Sequence, residues 1–84
     1  MATQERIAQL KGFVDQWMVW RAAAVTQRNK LLYLIEEIKG PHNEEMTKVL
    51  QKQADAEDLA ARQYDKCTTY MQSVLARAES GEDV

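Results

Sequence analysis

Apolar residues recur along the first half of the chain at spacings of three and four: Ile7, Leu10, Val14, Trp17, Ala24, Leu31, Ile35 and Ile38. That spacing lines one face of an α-helix. The start is marked by Thr3, a good cap, and by Glu5 in the first turn, near the positive end of the helix dipole. The stop is marked more strongly. Lys39 suits the negative end of the dipole, Gly40 is suited to the left-handed position after a helix, and Pro41 cannot continue one. The second half repeats the pattern with Met46, Leu50, Ala60, Tyr64, Cys67, Met71, Val74 and Ala78. Asn43 is its expected cap, followed by Glu44 and Glu45 in the first turn. The pattern therefore predicts an all-α fold with helices over about residues 4–39 and 44–79. Each would be roughly 54 Å long at 1.5 Å per residue. Equal lengths and a short turn imply an antiparallel hairpin, in which residues whose numbers sum to about 82–85 lie side by side. Residues 1–79 form one domain in this reading, and residues 80–84 a disordered polar tail.

The first helix carries more apolar surface than the second can cover. A second stripe, rotated from the first, runs Phe13, Trp17, Trp20, Ala24, Leu31, Leu34 and Ile38, with Gln27 as its polar break. Met18, Val25 and Leu32 extend the surface further round. A helix apolar on nearly all sides is buried on several sides. The second helix offers a narrower stripe, interrupted by Gln53 and Glu57. Self-association resolves the mismatch: two hairpins packed face to face make a four-helix bundle. The alternative is a different protein that covers the same side chains. Phe13, Trp17, Trp20, Ala24, Leu31 and Leu34 are the expected partner-binding residues under either arrangement, and large aromatic side chains are typical interface anchors.

Charge adds a seam. Arg21 and Arg28 occupy positions where the first stripe calls for apolar residues. Between Gln16 and Ile35 the charged residues are Arg21, Arg28 and Lys30, all basic. The stretch opposite holds Asp55, Glu57 and Asp58, all acidic. The expected pairing is Arg28 with Glu57, as part of an ion-pair layer that sets register more than it adds stability. A phosphate-bearing ligand is the functional alternative for the three cations. The net charge of −2 argues against a dedicated nucleic-acid binder, which normally carries a basic excess.

Catalytic chemistry has little to work with. His42 is the only histidine and lies in the turn, far along the rod from Cys67, the only cysteine. A nucleophile without a neighbouring base is not activated. Cys67 reads as a small core side chain between Tyr64 and Met71. His42, Glu44 and Glu45 cluster near the turn, but the Glu-x-x-His pair of a bundle di-metal site is missing. A glycine-rich phosphate loop is missing too. The chain is therefore expected to be no enzyme and to hold no cofactor or metal. One cysteine excludes an internal disulfide and fits a reducing compartment. The start, Met-Ala-Thr-Gln-Glu-Arg, lacks the apolar core of a signal peptide. The richest apolar run, Phe13 to Val25, contains Asp15 and Arg21, which does not suit a membrane span. A cytoplasmic location follows as the expectation.

Two families share this outline. The stretch Ala76-Arg77-Ala78-Glu79-Ser80-Gly81-Glu82-Asp83 is similar in composition to the acidic tail of the plasmid Rop family. Those are small RNA-binding hairpins that dimerise into four-helix bundles. The turn Pro41-His42-Asn43 resembles that of small hairpins from bacterial secretion needles and their chaperones. Neither resemblance reaches a residue that acts, so no functional residue is carried over. The expected function is a non-enzymatic protein–protein interaction module, an adaptor, chaperone or regulator, built as a self-associating hairpin. A small nucleic-acid-binding bundle of the Rop type, using Arg21, Arg28 and Lys30, is the alternative.

Overall fold

A computed structural model describes residues 2–84. Helix α1 spans Gln4–Ile38 and α2 spans Glu44–Glu79, and the two pack side by side as a hairpin. The rod measures 63 × 13 × 12 Å. Thr3 caps α1 as expected, its side chain accepting from the Arg6 N–H at 3.1 Å. The other end closes differently. Lys39 lies outside the helix in extended conformation, φ −61° and ψ 140°, and its N–H reaches the Ile35 carbonyl. The chain has already left the helix there, so Gly40 does not enter the left-handed region. Asn43 precedes α2, but its side chain does not cap that helix. Its amide donates backwards, to the Ile38 carbonyl at 2.7 Å. It thus satisfies one of the orphan carbonyls at the end of α1. Glu44 and Glu45 occupy the first turn of α2, near the positive dipole end.

The one left-handed residue among those described is Gly81, at φ 99°. Its N–H donates to the Ala78 carbonyl at 3.1 Å, and that of Glu82 to Arg77 at 3.0 Å. This is the two-bond closure that ends many helices, and it needs a residue without Cβ at the glycine position. Beyond it, Glu82 pairs with Arg77 at 3.1 Å. The Arg6 guanidinium donates to the Val84 backbone oxygen at 3.0 Å. Residues 80–84 thus touch both helices in this structure.

A seven-residue repeat organises the seam. On α1 the inward rows are residues 7, 14, 35 and 10, 17, 24, 31, 38, with Arg21 and Arg28 in line with the first but at its outer, charged edge. On α2 they are residues 47, 54, 61, 68, 75 and 50, 57, 64, 71, 78. Leu10 is fully buried, and Val14, Ala24 and Leu31 are buried with it. From α2 come Ala54, Ala61, Thr68 and Ala78. The large side chains of α1 therefore pack against small ones of α2. The Thr68 hydroxyl is satisfied by the Tyr64 carbonyl one turn back, at 2.9 Å. Of the expected α2 stripe, Ala78 is buried, Leu50, Tyr64 and Met71 are half-buried along the seam, and Ala60, Cys67 and Val74 are half-buried to one side of it, with Met46 exposed. Three of the four buried α2 side chains, Ala54, Ala61 and Thr68, lie outside the expected stripe.

Candidate interaction surface

The two inward rows leave the hairpin with two flanks, and consecutive residues of α1 separate onto them. One flank is charged. Arg28 donates to Asp58 at 2.6 Å, Arg21 meets Asp65 at 3.1 Å, and Lys11 lies 3.9 Å from Glu79. Arg62 reaches the second oxygen of Asp58 from one turn along α2, at 2.8 Å. The Arg28 hydrogen bond, with the charge of Arg62 behind it, holds the Asp58 carboxyl below the usual aspartate value. Arg28 thus pairs with Asp58, not with Glu57 as the sequence suggested. One residue along a helix is a rotation of about 100°. That step carries Glu57 into the inward row on the other side of the seam. There it accepts from Gln53 at 3.2 Å and borders an open depression with Trp20, Gln27 and Ala60.

The other flank is apolar on both helices. From α1 it takes Phe13, Trp20 and Leu34, with Gln27 between them, each seven residues from the next. From α2 it takes Met46, Gln53, Ala60, Cys67 and Val74 at the same interval. Phe13, Trp20 and Leu34 are 42%, 44% and 43% exposed. A tight aromatic group anchors this flank. Trp17 and Trp20 meet edge to face, with ring centroids 4.9 Å apart and planes at 84°. Tyr64 lies 5.6 Å from Trp17 and 6.1 Å from Trp20. Such contacts hold the indole of Trp20 in place while leaving one side open to solvent, which lowers the entropy lost on binding. Next to it lies the depression of about 340 Å³ floored by Ala23, Ala24 and Ala60. A second, of about 290 Å³, is bordered by Trp17, Cys67, Tyr70 and Met71.

The six expected partner-binding residues therefore divide. Phe13, Trp20 and Leu34 lie exposed along one flank. Trp17 is half-buried beneath Trp20. Ala24 and Leu31, at 5% and 9% exposure, are enclosed by the hairpin itself and present no surface to a partner. Compared with known proteins, the chain matches no family model, and no curated protein or solved structure is significantly similar to it. Its chemistry must be read from its own residues. Cys67 is half-buried and unpaired, and His42 is exposed in the turn. Among the described residues no three acidic, histidine or cysteine side chains cluster as metal ligands, and no helix is long and apolar enough to cross a membrane. Sequence reasoning missed the α2 half of the apolar flank. The signal was present in the seven-residue interval from Met46 to Val74.

Proposed function

We propose that this chain is a non-enzymatic, cytoplasmic protein–protein interaction module that works as a self-associating helical hairpin, two copies forming a four-helix bundle that serves another protein as adaptor, chaperone or regulator. The observation that carries this reading is the row of large α1 side chains, Phe13, Trp20 and Leu34, left more than two-fifths exposed in line along one flank. Contiguous apolar surface of this kind marks interaction sites in soluble proteins. Size supports it as well. The hairpin exposes 6194 Å², whereas a compact monomer of its 9.7 kDa mass would expose roughly 5,100 Å². The excess, about 1,100 Å², is comparable to what one chain buries in a stable dimer.

The test is light scattering at micromolar concentration, with an expected mass at least twice 9.7 kDa. A stable monomer overturns self-association and moves the reading to a different protein on the same flank. The nucleic-acid alternative is weakened by the aspartate partners of Arg21, Arg28 and Arg62. Were it correct, binding to an RNA hairpin would fall steeply with salt.

A further inference from the structure

The two edges of the apolar flank differ in size and are matched in polarity. On α1 the row reads Phe13, Trp20, Gln27, Leu34, large except at the glutamine. On α2 it reads Met46, Gln53, Ala60, Cys67, Val74, small where α1 is largest. Contacts across the seam fix the levels. Trp20 touches Tyr64, and Arg28 touches Asp58, so residues at one height have numbers summing to about 85. Trp20 then lies at a height between Ala60 and Cys67, and Phe13 between Cys67 and Val74. Gln27 falls level with Glu57, between Ala60 and Gln53.

We infer that a second copy of this chain covers this flank in parallel orientation, both turns at the same end, with α1 of each copy lying over α2 of the other. The inference rests on the self-association reading above and specifies its geometry. A twofold axis along the rod keeps every residue at its own height. Trp20 of one copy then seats over the gap between Ala60 and Cys67 of the other, and Phe13 over that between Cys67 and Val74. Over that stretch large side chains meet small ones, as packing to interior density requires, while Leu34 comes level with the span between Gln53 and Met46. The polar residues meet each other too. Gln27 of one copy comes level with Glu57 and Gln53 of the other, beside the existing Gln53–Glu57 hydrogen bond of 3.2 Å. Glu57 keeps free acceptor sites there, and the Gln27 amide brings two donors. A single polar layer in an apolar seam is a device that fixes register and orientation.

The antiparallel arrangement fails on the same points. It lays α1 over α1 and α2 over α2. Centred on the flank, it sets Trp20 on Gln27 and Phe13 on Leu34, while Ala60 faces Ala60. One side of the bundle is then overfilled and the other hollow. Each buried amide faces an apolar group and loses its partner.

Spin labels read the orientation directly. In a Cys67→Ala background, a label is placed at the turn with His42→Cys and, in a second variant, at the far end with Gln4→Cys. Both positions are exposed. Dipolar spectroscopy is expected to give short distances between copies, on the order of 20–30 Å, at both sites, since each end then meets its own counterpart across two helix diameters. Distances of about 50 Å or more at both sites overturn the parallel arrangement and leave self-association standing. A protein that scatters as a monomer and gives no dipolar signal overturns both. Cross-linking of the unsubstituted chain gives the same answer without new cysteines. In an equal mixture of nitrogen-15-labelled and unlabelled copies, mixed-isotope links should join Lys39 to Lys48, both near the turn. Mixed-isotope links from Lys39 to Lys11 instead overturn the parallel arrangement.

Discussion

Trp20 and Arg21 are neighbours in sequence and belong to opposite flanks. Arg21 turns to the charged side and finds Asp65 at 3.1 Å. Trp20 turns to the apolar side, where it rests on Trp17 and Tyr64 and remains 44% exposed. On the charged flank Lys11, Arg21 and Arg28 each have a carboxylate from α2, although Met18 and Leu32 on that side of α1 stay exposed. The apolar flank is closed only at its base. The difference shows that a helix can over-supply apolar surface without every part of it being free. Only the part lacking a counterpart on the other helix is left for a partner. On the proposed reading, the charged flank sets how the two helices line up and the apolar flank is the surface that binds.

The sharpest way to break this comparison is to truncate both neighbours. Trp20→Ala should weaken association by about 2 kcal/mol or more, the range of an interface anchor. Helicity of each hairpin should survive. Arg21→Ala should leave association unchanged and cost stability no more than about 1 kcal/mol, as for an exposed pair. Sedimentation across a concentration series, with circular dichroism melting, separates the two effects. If Arg21→Ala dissociates the assembly and Trp20→Ala does not, the binding flank has been assigned to the wrong side.

The next prediction concerns which carboxylate sets the register. A double-mutant cycle on Arg28 and Asp58 should show clear favourable coupling in chemical denaturation. The same cycle on Arg28 and Glu57 should be additive within error. Coupling to Glu57 instead would mean that the seam has slipped by one residue.

That one-residue shift also shows what was legible. Both helices, the turn at Gly40 and Pro41, and the antiparallel hairpin were readable, because long apolar periodicity and a Gly-Pro stop are strong local signals. The opposition of the basic stretch around Arg28 and the acidic stretch around Asp58 was readable too. The rotation of α2 was readable only in part. Leu50, Tyr64, Met71 and Ala78 lie in the seam rows as the pattern predicts, but Ala54, Ala61 and Thr68 are buried there too, side chains too small or too polar to stand out in the pattern. Ala60, Cys67 and Val74, which flank the seam, fall on the same sequence stripe as Leu50, Tyr64, Met71 and Ala78, and Ala24 and Leu31, which the hairpin encloses, read as partner surface. Small residues are buried here because α1 brings large ones such as Leu10 and Leu31. That is a property of the pair of helices, not of either alone. The cap chemistry escaped for a similar reason. Asn43 is a good N-cap by type, yet its amide serves the preceding helix at Ile38.

Acid should act on the charged flank before the apolar one. The carboxyl of Asp58 is held below its ordinary value by the Arg28 hydrogen bond first and by Arg62 as well. A group whose folded value is depressed adds stability that is fully present above its unfolded value, about 3.9. That stability is lost as pH falls through the folded value. Melting followed from pH 6 downward should therefore show a loss below about pH 4. Asp58→Asn should flatten that loss while leaving the association of the apolar flank at neutral pH unchanged. A loss of equal size in the Asn variant would assign the acid sensitivity to other carboxylates.

The smallest effect is expected at Lys11 and Glu79, and it sharpens the comparison by grading the charged flank. The pair lies on the same side as Arg28–Asp58, but its atoms are 3.9 Å apart and both side chains are at least half exposed. At that distance in water the attraction is of the order of 1 kcal/mol before screening, and ordering two long side chains offsets most of it. Lys11→Ala should thus change stability by no more than about 0.5 kcal/mol. Raising the salt from low to physiological strength should remove even that difference, since exposed charges are screened within about 8–10 Å. Arg28→Ala, whose guanidinium is more enclosed and shares its carboxylate with Arg62, should retain a measurable loss under the same salt. The measurement is urea unfolding of both variants at two ionic strengths. Equal and equally screened losses at Lys11 and Arg28 would mean that the flank behaves as a uniform surface charge pattern. The register of the hairpin would then rest on its packing alone, on Leu10 and Leu31 against the alanines of α2, with no contribution from the ion pairs.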